Sequence, residues 1–75
     1  MENKIILIIS QILNMEVSLV IEKKNKLAFN ETPEWDSLAH LSIMTELEDQ
    51  FDLDLEIDDM EKLTTIPKIL ASLPG

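Results

Sequence analysis

The chain has 75 residues, a formal net charge of −9 and no cysteine. That length limits it to one small domain, since such a chain buries only about 60% of its unfolded surface. The composition excludes a disulfide framework, a thiolate metal site and a thiol nucleophile, and the single histidine excludes a multi-histidine metal site. The charge is uneven. Residues 1–29 carry four lysines against three glutamates, a net of +1, while residues 30–75 carry twelve acids against Lys62 and Lys68, a net of −10; the two sum to −9. Such a field repels nucleic acid and anionic lipid and attracts proteins with basic patches. With 45% apolar residues the chain is not a disordered acidic tail. The apolar run Ile5-Ile6-Leu7-Ile8-Ile9 is too short to span a bilayer. It is also shorter than a signal-peptide core and is followed by no small-residue cleavage site. A cytoplasmic monomer that binds no nucleic acid and inserts in no membrane is expected.

Residues 3–14 read as a helix. At 100° per residue Ile5, Ile6, Ile8, Ile9, Ile12 and Leu13 fall on one arc, and Lys4, Ser10, Gln11 and Asn14 on the other. Leu7 is the exception, among the polar positions. Because β-branched isoleucine lowers helix propensity, packing must hold this helix, and a strand over 5–9 is the alternative. Residues 15–35 show no long helical period and read as a long loop. Within it Val17-Ser18-Leu19-Val20-Ile21 is extended or a loop anchor, Glu22 to Lys26 is a solvated run, and Leu27-Ala28-Phe29 returns apolar bulk to a core. A loop of this length in a compact domain signals function or a missed element. Asn30-Glu31-Thr32-Pro33 is turn chemistry.

Residues 37–51 form the clearest amphipathic helix. Ala39, His40, Ile43, Leu47 and Phe51 share a core-directed arc, and Ser42, Thr45, Glu46 and Asp49 the opposite one. Ser37, Leu41, Met44 and Glu48 line up between them, a boundary strip suited to a contact surface or to the edge of the core. Asp36 stands at the N-cap, where a carboxylate accepts unpaired backbone N–H groups. Ser37 is thereby left to point outward beside the positive end of the helix dipole, a position that favours a phosphate. Residues 52–57 alternate with period 2 and read as an extended connection with Leu53, Leu55 and Ile57 packed inward. Asp58 or Asp59 caps a short helical turn through Lys62-Leu63. Thr64-Thr65 caps a last helix over 66–73, with Pro67 in its first turn and Ile66, Ile69, Leu70 and Leu73 as its apolar face. The elements sum to a small antiparallel bundle.

Three other signals point to different chemistry. Ser37 and His40, three apart on a helix, could serve as nucleophile and base. However, no acid is placed to orient the ring, no glycine-rich elbow surrounds the serine, and the domain is too small to enclose a substrate. His40 instead falls on the apolar arc as a partly buried, hydrogen-bonded residue. Asp52, Asp54 and Glu56 look like the start of a calcium-binding loop, yet Ile57 stands where the turn needs glycine and Leu63 where the bidentate glutamate belongs. They read better as a solvated acidic face, and no metal ligand is assigned. Trp35, the only tryptophan, is either a partner anchor or, as favoured, a cover over the end of the bundle.

Read together, these residues resemble the acyl carrier protein family. Asp36-Ser37-Leu38 looks like its attachment motif, followed at the family's spacing by Leu41, Met44, Leu47, Glu48 and Phe51, an acidic connection, a short acidic helix, Lys62-Leu63-Thr64-Thr65 and a terminal helix. The likeness is strong from Trp35 to about Leu73 and rests on position and apolar pattern alone in the first helix. It implies an all-α fold, a small four-helix bundle with a long first loop and a short third helix. It implies a non-catalytic carrier in which Ser37 takes 4′-phosphopantetheine from coenzyme A, delivered by a phosphopantetheinyl transferase. An acyl group would ride on the thiol of that arm as a thioester, which makes the absence of cysteine informative. It further implies that Asp36, Leu38, Leu41, Met44, Glu48 and Asp49 dock on basic patches of acyl-activating and acyl-transferring enzymes. Many members have glycine two residues before Asp-Ser-Leu; here Glu34-Trp35 precedes it, a pattern closer to specialised carriers than to the housekeeping one. The cargo stays open between fatty acyl, D-alanyl or other aminoacyl, and acyl groups bound for a surface polysaccharide or secondary metabolite. An unmodified acidic interaction module is the alternative.

Overall fold

A computed structural model describes residues 2–72. Its order is α1 (Glu2–Leu13), α2 (Val17–Glu22), α3 (Ser37–Phe51), α4 (Ile57–Lys62) and α5 (Ile66–Ser72). The described residues hold no strand, only an isolated antiparallel bridge between Ala28 and Thr65. The all-α bundle is therefore as expected, and the first stretch is a helix rather than the alternative strand. The predicted end at 73, with Leu73, lies outside the described residues.

Ile5, Ile6, Ile8, Ile9 and Leu13 of α1 are buried and Leu7 is exposed, following the predicted arcs. Ser10 departs from them. It is buried, and its hydroxyl donates to the Leu7 carbonyl at 2.8 Å. That bond back to the preceding turn satisfies the hydroxyl and lets it sit inside. The helix ends at Asn14, whose φ is 57°. Asn14 N–H donates to the Gln11 carbonyl at 3.3 Å and Met15 N–H to that of Ser10 at 2.9 Å, the paired bonds of a Schellman stop. Asp52, with φ of 54°, also ends α3 in a left-handed conformation, its own N–H and that of Leu53 (3.0 Å) both donating to the Glu48 carbonyl. The only glycine is Gly75, so these left-handed positions fall to Asn and Asp, whose short polar side chains tolerate them best after glycine.

The long first loop is corrected by α2. Six residues are too few to display a helical period, and Val17, Val20 and Ile21 are β-branched, so local preference there points to an extended chain. Packing decides otherwise, because Val20 is fully buried in the core cluster. The rest of the stretch closes on itself. Thr32 Oγ1 accepts from Ala28 N–H at 3.0 Å, and Asn30 N–H donates to the Trp35 carbonyl at 3.0 Å. Phe29 N–H donates to the Thr64 carbonyl at 2.8 Å, which ties the loop to the start of α5.

The core combines the isoleucines of α1 with Val20, Leu27, Trp35, Ile43, Met44, Leu47, Leu63, Ile66 and Ile69. Each large apolar side chain so buried contributes about 1.5–3 kcal/mol. Leu53 and Leu55 are half-buried against it as expected, but Ile57 is not: it is the first residue of α4 and is 74% exposed. The period-2 pattern stops at Glu56, where the chain turns helical and the next side chain rotates outward. The cap of α4 also shifts. The helix begins before Asp58, and Asp59 reaches back to accept from Glu56 N–H at 3.1 Å. Thr65 caps α5 as predicted, its Oγ1 accepting from Lys68 N–H at 3.3 Å.

Candidate functional site

Ser37 is the first residue of α3 and is exposed. Asp36 occupies the N-cap in an extended conformation, and its Oδ1 accepts from Ala39 N–H at 2.9 Å. The capping task is therefore done by Asp36, and the Ser37 hydroxyl enters no hydrogen bond among the described residues. Beneath it, the first turn is braced. Trp35 is wholly buried, and its Nε1–H donates to His40 Nδ1 at 3.0 Å. An indole nitrogen can only donate, so Nδ1 is the acceptor and the ring proton sits on Nε2. From there it is donated to the Met60 carbonyl at 2.7 Å. Phe29 stacks on the imidazole with ring centroids 4.3 Å apart and an angle of 14° between the planes. Trp35 thus covers the end of the bundle and His40 is buried and hydrogen-bonded, as expected. Both imidazole nitrogens are engaged away from Ser37, so the ring is not available to it as a base.

Of the residues expected on a docking face, Asp36, Leu38, Leu41 and Asp49 are exposed, Leu38 at 74%. Met44 is not among them. It is 0% exposed and belongs to the core cluster. Glu48 is half-buried, and its Oε2 accepts from Leu55 N–H at 3.0 Å, so its carboxylate also holds the 52–56 connection. Ile57 is exposed as well, and the sequence signal for its place is the pair Glu56 and Asp59 at capping-box spacing, which opens a helix one residue after Glu56.

Two cross-links set the course of α4. Glu48 meets Leu55 and His40 meets Met60, so α4 runs back along α3 toward the Ser37 end. The surface along α3, the connection and α4 is acidic: Asp36, Asp49, Asp52, Asp54, Glu56, Asp58, Asp59 and Glu61 are all exposed. A cavity of about 660 Å³ lies elsewhere, lined by residues between Asn14 and Leu27 and by Glu31 to Glu34, and does not include Ser37.

The chain is 36% identical over 67 residues to the acyl carrier protein of Buchnera aphidicola subsp. Schizaphis graminum (strain Sg), a match that covers 89% of this chain and 81% of that relative. The chain belongs to the acyl carrier protein family. No family model matches it, and no solved structure matches it significantly. No described helix of this acyl carrier family member is long and apolar enough to cross a membrane.

Proposed function

We propose that this chain carries acyl groups as thioesters on a 4′-phosphopantetheine arm attached to Ser37. The observation that carries the reading is the exposed Ser37 hydroxyl, left without a hydrogen bond at the first position of a fifteen-residue helix whose cap is supplied by Asp36. The residues present fit the group. A phosphodiester on Oγ would lie beside the first-turn backbone N–H groups and the positive end of the helix dipole. The fixed Trp35–His40 pair below sets the angle at which the chain enters α3, and with it the direction of the Ser37 side chain. In the attachment step the Ser37 oxygen forms the new bond to phosphorus as the pyrophosphate link of coenzyme A breaks. The hydroxyl proton leaves with the adenosine-bearing phosphate. Once attached, the arm supplies the thiol that no residue of this chain has.

Partners are a phosphopantetheinyl transferase and cytoplasmic acyl-activating or acyl-transferring enzymes with basic patches. Asp36 and Asp49 supply charge to that docking and Leu38 and Leu41 supply apolar contact, with Glu48 at the edge. Intact mass after incubation with coenzyme A and a broad-specificity transferase should rise by one phosphopantetheine, and Ser37→Ala should abolish the gain while leaving the fold intact. A folded, previously unmodified chain that gains nothing is an unmodified interaction module instead.

A further inference from the structure

The ring of His40 is held at both nitrogens, and only its neutral form fits what holds it. Trp35 Nε1–H donates to Nδ1 at 3.0 Å, and Nε2–H donates to the Met60 carbonyl at 2.7 Å. The residue is only 7% exposed, and Phe29 lies stacked on the face of the ring. A charged imidazole has two N–H donors and no acceptor. A proton added at Nδ1 would meet the indole N–H donor against donor and leave both without a partner, which is costly away from water. The charge itself would be buried. The charged groups on the elements around the ring are Asp36 at the head of its own helix, Glu31 and Glu34 in the 27–35 segment, and Asp58, Asp59, Glu61 and Lys62 on α4. All are exposed, and Asp36 and Asp59 are already engaged with the N–H groups of Ala39 and Glu56. Both ring nitrogens are taken by Trp35 and Met60 rather than by a carboxylate.

We propose that His40 is a pH-sensitive latch on the turn that presents Ser37. When neutral, it seats Trp35, and with it the entry to α3. When protonated, it releases the indole and loosens the first turn. The sign follows by linkage. In the unfolded chain an imidazole takes its proton freely, at about pH 6.5. The native ring takes it only by giving up the Trp35 bond. The unfolded state therefore binds more protons below that pH, and stability that is complete above about pH 7 is lost as pH falls. The fifteen acids of a chain with net charge −9 act in the opposite direction, since protonating them relieves repulsion. A variant without the imidazole separates the two effects. The latch belongs to the unloaded chain, and its consequence for arm attachment rests on Ser37 as the attachment point.

The test compares the unloaded full chain with His40→Gln, whose side chain does not titrate, by denaturant titration at about pH 7.5 and about pH 5 in about 0.15 M salt. Relative to the variant, the unfolding constant of the wild type should rise by more than about fivefold on acidification, under a ceiling of roughly thirtyfold for an imidazole of ordinary affinity in the unfolded chain. A smaller rise would overturn the latch. Should the variant not fold, the wild type decides alone. Its Trp35 indole N–H and Ser37 amide resonances should move together with those of the imidazole over the same pH range, and resonances that stay in place would overturn the latch. The mass-gain assay at Ser37 is independent: its failure would overturn the attachment reading and leave the latch standing.

Discussion

The two ends of α3 are held by different means. At the Ser37 end the ties centre on one buried imidazole: the buried bond from Trp35 to His40, the part-buried one from His40 to Met60, and Phe29 stacked on the ring. At the Phe51 end they are peripheral. Phe51, Leu53 and Leu55 are half-buried, Asp52 turns the chain in a left-handed conformation, and Lys4 Nζ lies 5.4 Å from the Phe51 ring centroid. Bonds shielded from water count for more than the same bonds at the surface, and local opening begins where burial is thin. The contrast seats the exposed Ser37 hydroxyl on a firmly held turn, while the acidic connection is held less tightly.

The comparison is tested hardest at Trp35. Trp35→Ala should cost about 3–5 kcal/mol, as for other large buried aromatics, and could leave the chain unfolded; denaturant titration at neutral pH reads it. If it costs no more than an exposed substitution, the Ser37 end is not the firmer one. Trp35→Phe keeps most of the bulk but removes the only donor to His40 Nδ1, and should cost about 1–3 kcal/mol by the same titration. At the cap, Asp36→Ala should cost about 1 kcal/mol and Asp36→Asn far less, because asparagine still accepts from Ala39 N–H; equal losses would mean the cap bond contributes nothing. At the Phe51 end the sign reverses. Asp52→Gly removes a side chain from a left-handed position and should raise stability by up to about 1 kcal/mol, seen as a higher Tm. Smallest of all, Ile57→Ser should change stability by no more than about 0.5 kcal/mol, since the side chain is mostly exposed. A clear fall in Tm would show Ile57 packed inward after all.

Affinity for a basic partner offers a separate check on the acidic surface. It should weaken as salt rises, because exposed charges beyond about 10 Å are screened at 0.1 M ionic strength. An affinity indifferent to salt would remove Asp36 and Asp49 from the docking face.

Much of the site was readable before any coordinates. Asp36 at the cap and Ser37 exposed after it follow from side-chain chemistry and one turn of helix, and Thr65 at the start of α5 follows in the same way. His40 on the apolar arc was readable from periodicity, and Trp35 as a cover over the bundle end from its place beside the start of α3. The failures share a cause. Residues of α2 carry a local preference for extended chain that Val20 overrides by entering the core. Ser10 enters the core because a bond to its own helix satisfies its hydroxyl. Met44 and Ile57 depart from expectation in opposite directions, one buried in the core cluster and the other exposed at the start of α4, because tertiary packing rather than the local pattern decides both.

The sequence by itself determined where the long helices start and stop, which residue caps α3 and which serine is left free, because those outcomes depend on neighbours within one turn. Only the tertiary structure decided what the boundary positions do. Whether Met44 faces solvent and whether Glu48 is a surface charge or a tie to Leu55 both depend on contacts between residues distant along the chain. Periodicity assigns a side chain to an arc of its own helix, and the partner that covers that arc is set by packing.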